Sequence, residues 1–316
     1  MAAFLYSALL AALAQGQVPS PESLAVLANR VAHDSGDAVA WMALGRAEIQ
    51  ASEAYHVHAG PPDTLWAANT LLGAERALGR AVELRPGLGL GDSAATFRVL
   101  ARARLGELEW ELGDTAAVTA VWAKVPGGSR LPPVLEELAE NLLRACPPRA
   151  VLFTANEVVT GAIDLLRFNH GIRPDVLPLP IDRYRRDSVF AARAARDAGL
   201  KRPPPGPAST AERILALAAT RPVCAGAEFG APPGGHGRIT WQVRPLVWIA
   251  GKDAGTAAKV PATDFVFAAL KFGIDANDPW ARFALDIYRH AARLAPSLCG
   301  GLAIYGVPRA KTGCRT

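Results

Sequence analysis

From about residue 20 to residue 145, apolar positions return every three or four residues, the period of helices that each bury one face. Ser20 is placed to cap a first helix, with Pro21 and Glu22 in its opening turn, Leu24, Leu27, Ala28 and Val31 on one side, and Gly36 as its stop. Farther on, small residues fall where two helices must approach closely, at Gly45, Ala74 and Ala81. Trp41, Leu44 and Leu78 supply the bulk between them, and Pro86 ends the pair. A second pair is marked by Leu105-Gly106, the turn Gly113-Asp114, Val118 and Trp122, with Pro126 arriving early. One more helix, over 132–145, carries Leu135, Leu138 and Leu142 on a single face and could close the stack.

After residue 148 the pattern changes to short apolar runs alternating with amphipathic ones. Residues 149–154 read as a buried strand, Asn156 as the cap of a helix reaching about residue 170, and Gly171 as its stop. The 175–181 stretch is extended, but Pro178 and Pro180 remove ladder donors and confine it to a sheet edge. A basic helix over 188–198, a proline-rich joint at 203–207 and a helix over 210–220 lead to a strand at 222–229. A Gly/Pro loop at 231–238 joins further strands at 239–243 and 246–249, and helices at 264–272 and from Pro279, capped by Asp278, finish the chain. On the second of these helices Trp280, Phe283, Ile287, Ala291 and Leu294 form one apolar face. The fold class expected is α+α/β: helical hairpins first, then a small, mainly parallel α/β sheet ending in an antiparallel hairpin, with a C-terminal helical pair.

Trp41-x-x-Leu44-Gly45, followed by Ala74-x-x-x-Leu78-x-x-Ala81 and Pro86, resembles the tetratricopeptide (TPR) unit, and the likeness extends over 38–130. Arg102 stands where the second unit would have an aromatic. Such arrays bind proteins, so the resemblance implies a protein partner, met near Trp41 and near an insertion at 54–69 that bears Tyr55, His56 and His58. A second resemblance rests on Val151-Leu152-Phe153-Thr154, Gly171-Ile172-Arg173-Pro174-Asp175-Val176, Arg221-Pro222-Val223 and Leu246-Val247-Trp248. Over 150–250 these look like the soluble C-terminal domain of bacterial membrane proteins related to the protein O-mannosyltransferases. There the first strand precedes a Gly-Asp-Asn-Asp-Thr turn; here Asn156-Glu157-Val158-Val159-Thr160 keeps the threonine and one acid. The implied catalytic candidates are Thr154, Asn156, Glu157 and Thr160. One carboxylate neither holds a metal nor shares a proton as a pair does, so an impaired site is expected, with Glu157 serving as a first-turn acid.

With half of its 316 residues hydrophobic and a fifth charged, the chain is no disordered segment. Lys and Arg against Asp and Glu number 10 and 16 over 1–140, and 24 and 13 over 141–316, a net −6 followed by +11. Arg183, Arg185, Arg186, Arg193 and Arg196, with Lys201 and Arg202, form the densest basic stretch, a candidate surface for an anion or an anionic membrane. A solvated helix is the plainer account of it. The Gly234-Gly235-His236-Gly237-Arg238 run opens no helix after a strand, and no nucleic-acid-binding signature is present. Residues 1–14 are almost wholly apolar and end in Ala12-Leu13-Ala14 before Gln15, a signal-like segment too short to span a bilayer and lacking an early basic residue.

Cys146, Cys224, Cys299 and Cys314 form an even set without a CxxC pair, consistent with an oxidising compartment and open to three pairings. His56 and His58 would point the same way in an extended segment, with Glu53, Asp63 and His33 available, yet no ligand spacing supports a metal and none is expected. No cofactor is expected either. The expected domains are the signal-like 1–14, a TPR-like helical domain at 20–146 and an α/β domain at 149–316. The leading expectation is an exported, periplasmic or membrane-associated, non-catalytic scaffold that binds a protein and no nucleic acid. An enzyme acting on glycan or lipid-linked sugar at the first strand's end, or an accessory subunit of a membrane complex, are the alternatives.

Overall fold

The computed structural model describes residues 21–53, 63–87, 89–125, 130–200, 208–234 and 239–314. The signal-like segment, Ser20, Tyr55, His56, His58, Pro126, Lys201, Arg202, the 203–207 joint and residues 235–238 lie outside the described residues. The chain divides into two compact units, 1–101 and 102–316. Sequence pattern placed the break near 147; the structural division lies inside a helix.

The first unit contains α1 (Pro21–His33), α2 (Ala38–Ser52), α3 (Thr64–Leu84) and the beginning of α4 (Leu90–Leu112). Asp37 and Asp63 start α2 and α3 by accepting from backbone amides of the first turn, Asp63 from Trp66 N at 2.8 Å. The two helices pack closely at Gly45: a Cβ there would stand 2.6 Å from Leu78 Cγ and 3.0 Å from the Ala74 carbonyl oxygen. Met42, Ile49, Ala74, Leu78 and Ala81 form one core with Ala94, Phe97, Leu100 and Ala101 of α4. Trp41 lies between this core and a smaller one made by Val31, Ala40, Leu44 and Ala77.

The second unit begins with the rest of α4 and continues through α5 (Thr115–Ala123) and α6 (Pro133–Ala145) to β1 (Val151–Thr154). Gly106 faces Trp122, whose Nε1 would be 2.9 Å from an added Cβ, so this helix pair also closes over a glycine. Then follow α7 (Glu157–Phe168), β2 (Leu177–Pro180), α8 (Ile181–Arg186), α9 (Ser188–Asp197), α10 (Thr210–Ala218) and β3 (Pro222–Gly226). The chain ends with β4 (Gln242–Arg244), β5 (Val247–Gly251), α11 (Ala268–Asp275), α12 (Pro279–Leu294), α13 (Leu298–Ile304) and α14 (Arg309–Thr312).

The strand order is β2-β1-β3-β5-β4. β1 runs parallel to β2 and β3, whereas β5 is antiparallel to β3 and β4, so four strands share one direction and the sheet is mixed, its parallel part followed by an antiparallel hairpin. The reversal comes at the tight turn between β4 and β5, where a hairpin returns the chain antiparallel and β5 pairs between β4 and β3. The proline-bearing β2 lies at an edge, as its missing donors require. One face presents Val151, Phe153, Val223, Ala225, Trp248 and Ala250 to a core shared with Phe190, Ile214 and Leu217 of α9 and α10. The alternate residues, including Leu152, Thr154 and Cys224, point to the other face, where α7 packs on the sheet and α6 packs on α7. Asn141 of α6 locks the C-terminal helices in place, bonding Val266 through both backbone groups and Tyr288 Oη at 3.0 Å. Glu137 accepts from Ala269 N and Leu270 N at the start of α11, at 2.7 and 2.9 Å.

Candidate functional site

In an open α/β sheet, ligands bind outside the carboxyl ends of the strands where the strand order reverses. Here β1 is followed by β2 on one side and β3 on the other, so that point lies beyond Thr154 and Gly226. All four candidate catalytic residues of the sequence lie there, and each is committed to the fold. The Thr154 and Thr160 hydroxyls are 2.6 Å apart and both residues are buried, with the Thr160 hydroxyl also donating to the Asn156 carbonyl at 3.1 Å. Asn156 Oδ1 caps α7 by accepting from Val158 N at 2.8 Å. Glu157, in the first turn, takes a hydrogen bond from Arg104 Nη2 at 2.5 Å.

Arg104 belongs to a network that no sequence motif announced. It also bonds Glu107 at 2.7 Å, and Glu107 accepts from Arg183 at 2.6 Å. Arg183 continues to Glu111 and lies 4.9 Å over the Phe190 ring. Arg193 pairs with Asp197 at 3.2 Å and covers Trp110, whose Nε1 donates to Asp197 at 2.6 Å. Two of the five arginines assigned to an anion or membrane surface thus turn inward, because the end of α4 supplies Glu107, Glu111 and the Trp110 ring, which a sequence window around 183–196 does not contain. Arg185, Arg186 and Arg196 stay on the surface, Arg185 3.6 Å from Asp182.

One further carboxyl is placed at the same point. Glu228, just past β3, accepts from Ala155 N and bridges the two strand ends. Its Oε2 is buried and finds no hydrogen-bond partner among the described residues. Burial pushes this carboxyl up to about 7, against the pull of the Ala155 and Asn156 amides. Asp164, one turn beyond Thr160, is also pushed up to about 7 by burial, with Arg167 at 3.4 Å opposing the shift. Glu228 can therefore exchange a proton near neutrality, while the hydroxyls and Glu157 beside it are already engaged. Sequence reading missed Glu228 by counting it within the strand; the Gly226-Ala227-Glu228 step out of a short apolar run was the available signal.

Among the partner-binding candidates, Trp41 is half-buried in the helical core with Nε1 donating to Ser35 O at 3.0 Å. Of the loosely grouped metal candidates, Asp63 is spent as a helix cap and His33 is exposed. No group of three or more His, Cys, Asp or Glu side chains converges among the described residues. None of the described helices is long and apolar enough to cross a membrane.

No protein-family model, no curated protein and no solved structure matches the chain. The tetratricopeptide and mannosyltransferase-related resemblances are carried by their own residues alone.

Proposed function

We propose that the protein is an exported interaction protein whose helical first unit holds a protein partner, with the α/β unit in a structural role. One observation carries the reading: on α3, in and just after the 54–69 insertion, Leu65, Trp66 and Leu72 are 72, 39 and 36 % exposed. Leu65 and Leu72 are two helical turns apart and share a face, and Trp66 flanks them. Large apolar groups gathered on one helix gain by being covered, and an aromatic anchor beside two leucines is the composition of a binding hot spot. The engagement of Thr154, Asn156, Glu157 and Thr160 in caps and pairs supports the non-catalytic part of the reading. The Cys299–Cys314 disulfide supports an oxidising compartment.

The test is a photo-crosslinking amino acid in place of Trp66, used in the native host. A discrete crosslinked species is expected that disappears when Leu65→Glu and Leu72→Glu are added and persists with Arg196→Glu. A crosslinking pattern unchanged by the paired leucine substitutions overturns the proposal.

Glu228 favours a second reading, an enzyme acting on glycan or lipid-linked sugar with that carboxyl as its acid–base group. Glu228→Gln abolishing a glycan-hydrolysing or glycan-transferring activity would support it; an activity with an unchanged rate would exclude it.

A further inference from the structure

Cys146 and Cys224 come from distant parts of the chain and meet beneath the sheet. Cys146 caps the C-terminal end of α6. Cys224 is at the middle of β3, in register with Leu152 of β1, and so points to the face on which α7 packs. Both residues are buried, at 3 and 0 % exposure. The Cys224 thiol is hydrogen-bonded to the Cys146 thiol, neither being in a disulfide. Arg173 flanks the pair. Its guanidinium donates to the Leu143, Cys146 and Pro147 carbonyls at 2.8, 3.1 and 3.0 Å, and its charge acts on both thiols. Arg173 adopts a φ of +48°, and its ion pair with Asp175 helps hold the guanidinium at this position.

The geometry points to Cys146 and Cys224 as a second disulfide-forming site, oxidised by a disulfide-class oxidant such as a protein disulfide or oxidised glutathione. One cysteine loses its proton, and the thiolate attacks a sulfur of the oxidant, expelling one of the oxidant's sulfurs as a thiolate. The other cysteine, deprotonated in turn, attacks the mixed disulfide at the chain's own sulfur and expels the oxidant's second thiolate. The released thiolates take up the two protons. Two chain thiols are thereby oxidised, and one oxidant disulfide is reduced to two thiols. Since neither thiol is reachable in the folded chain, the exchange takes place during folding, before α6 and β3 close over the pair.

This bond would do something different from the first disulfide. Cys299–Cys314 closes a loop of sequence separation 15 at the tail. A Cys146–Cys224 bond would enclose β1, α7, β2, α8, α9, α10 and most of β3, which is the parallel part of the sheet and every crossover that builds it. Those long connections are the slow and entropically expensive part of the fold, and a crosslink across them restricts the unfolded chain most.

The experiment counts thiols in the full chain after refolding in a glutathione redox buffer. The chain is denatured without reductant, labelled with a maleimide and weighed, then digested for disulfide mapping. No label and a Cys146–Cys224 linked peptide are expected; Cys146→Ser or Cys224→Ser leaves one labelled thiol, and reduction of the wild type allows four. Two labelled cysteines in the unreduced wild type, mapped to 146 and 224, overturn the inference. Because the wild type is itself the test sample, poor folding of a serine variant does not affect the outcome.

Discussion

Gly45→Ala sets two opposing effects against each other, and the α2–α3 crossing decides which is larger. Within a helix, replacing glycine by alanine gains about 1 kcal/mol from the reduced freedom of the unfolded chain and better propensity. At Gly45 the new methyl would lie 2.6 Å from Leu78 Cγ, 3.1 Å from Leu78 Cδ2 and 3.0 Å from the Ala74 carbonyl oxygen. Leu78 and Ala74 are fully buried, and the oxygen is backbone, so relief needs the two helices to separate. Overpacking of this kind costs roughly 1–3 kcal/mol. A contact as short as 2.6 Å together with one to backbone puts Gly45→Ala above the low end, so the cost outweighs the gain and the variant is less stable. Gly79→Ala is the control. Its methyl would meet only the flexible Arg98 guanidinium, at 3.4 Å, so the propensity gain of about 1 kcal/mol survives. Urea unfolding of the full chain, followed by circular dichroism, should move the helical transition down for Gly45→Ala and up for Gly79→Ala. In Gly45→Ala/Leu78→Ala the shortest contact goes with the leucine, leaving only that to the Ala74 oxygen, and the loss should be smaller than the sum of the single losses. A Gly45→Ala midpoint at or above wild type would refute the argument, because a crossing that close cannot absorb a methyl at no cost.

Three more outcomes test the second unit. Glu228 has a folded pKa of about 7, above its unfolded value, so its contribution is fully present below the unfolded pKa and is lost as pH rises through about 7. The wild type should lose on the order of 2 kcal/mol more than Glu228→Gln between pH 5 and pH 8 in thermal or urea unfolding, and equal losses would show that Glu228 does not titrate there. Arg104→Met leaves the largely buried Glu107 carboxylate without one of its two arginines and should cost about 3 kcal/mol in the same assay. Glu157→Gln removes a partner whose side chain is 40 % exposed and should cost under about 1 kcal/mol; a larger loss would make Glu157 the centre of the network.

Local chemistry was the part that could be read along the chain. Small residues at Gly45, Ala74 and Ala81 sit at a helix crossing because only they allow it, and Asp278-Pro279 starts α12 because the aspartate side chain accepts from Trp280 N. Pro178 and Pro180 announced an edge strand for the same local reason: each lacks an amide hydrogen. What stayed hidden was long-range. Ile181–Arg186 forms a helix where the extended run was expected only to end, since Arg183 gains Glu107 and Glu111 by turning that way. The strand expected over 222–229 stops at Gly226, where the apolar run breaks, but nothing local shows that Glu228 folds back onto the β1–α7 loop. At the candidate site the positions of Thr154, Asn156, Glu157 and Thr160 were legible, but their partners were not. Arg104 is 53 residues from Glu157 in sequence, and Glu228 is 73 from Ala155.

The same separation changes what the charge asymmetry means. Divided at residue 140, the chain reads as −6 then +11. Divided between Ala101 and Arg102, the boundary of the two compact units along the chain, it holds 6 basic and 9 acidic groups and then 28 and 20, or −3 and +8. The difference comes from residues 102–140, which carry four basic and seven acidic groups and belong with the sheet. Glu107 and Glu111 are among those acids, and they neutralise Arg183 inside the second unit. Part of the apparent attraction for an outside anion is thus already satisfied within that unit. Arginine suits this internal use because a planar guanidinium can bond two carboxylates and still lie flat on an aromatic ring, as Arg183 does with Glu107, Glu111 and Phe190. The basic stretch therefore argues for a helix layer fastened by its own arginines before it argues for a membrane, and the exposed apolar face of α3 is the stronger pointer to a partner.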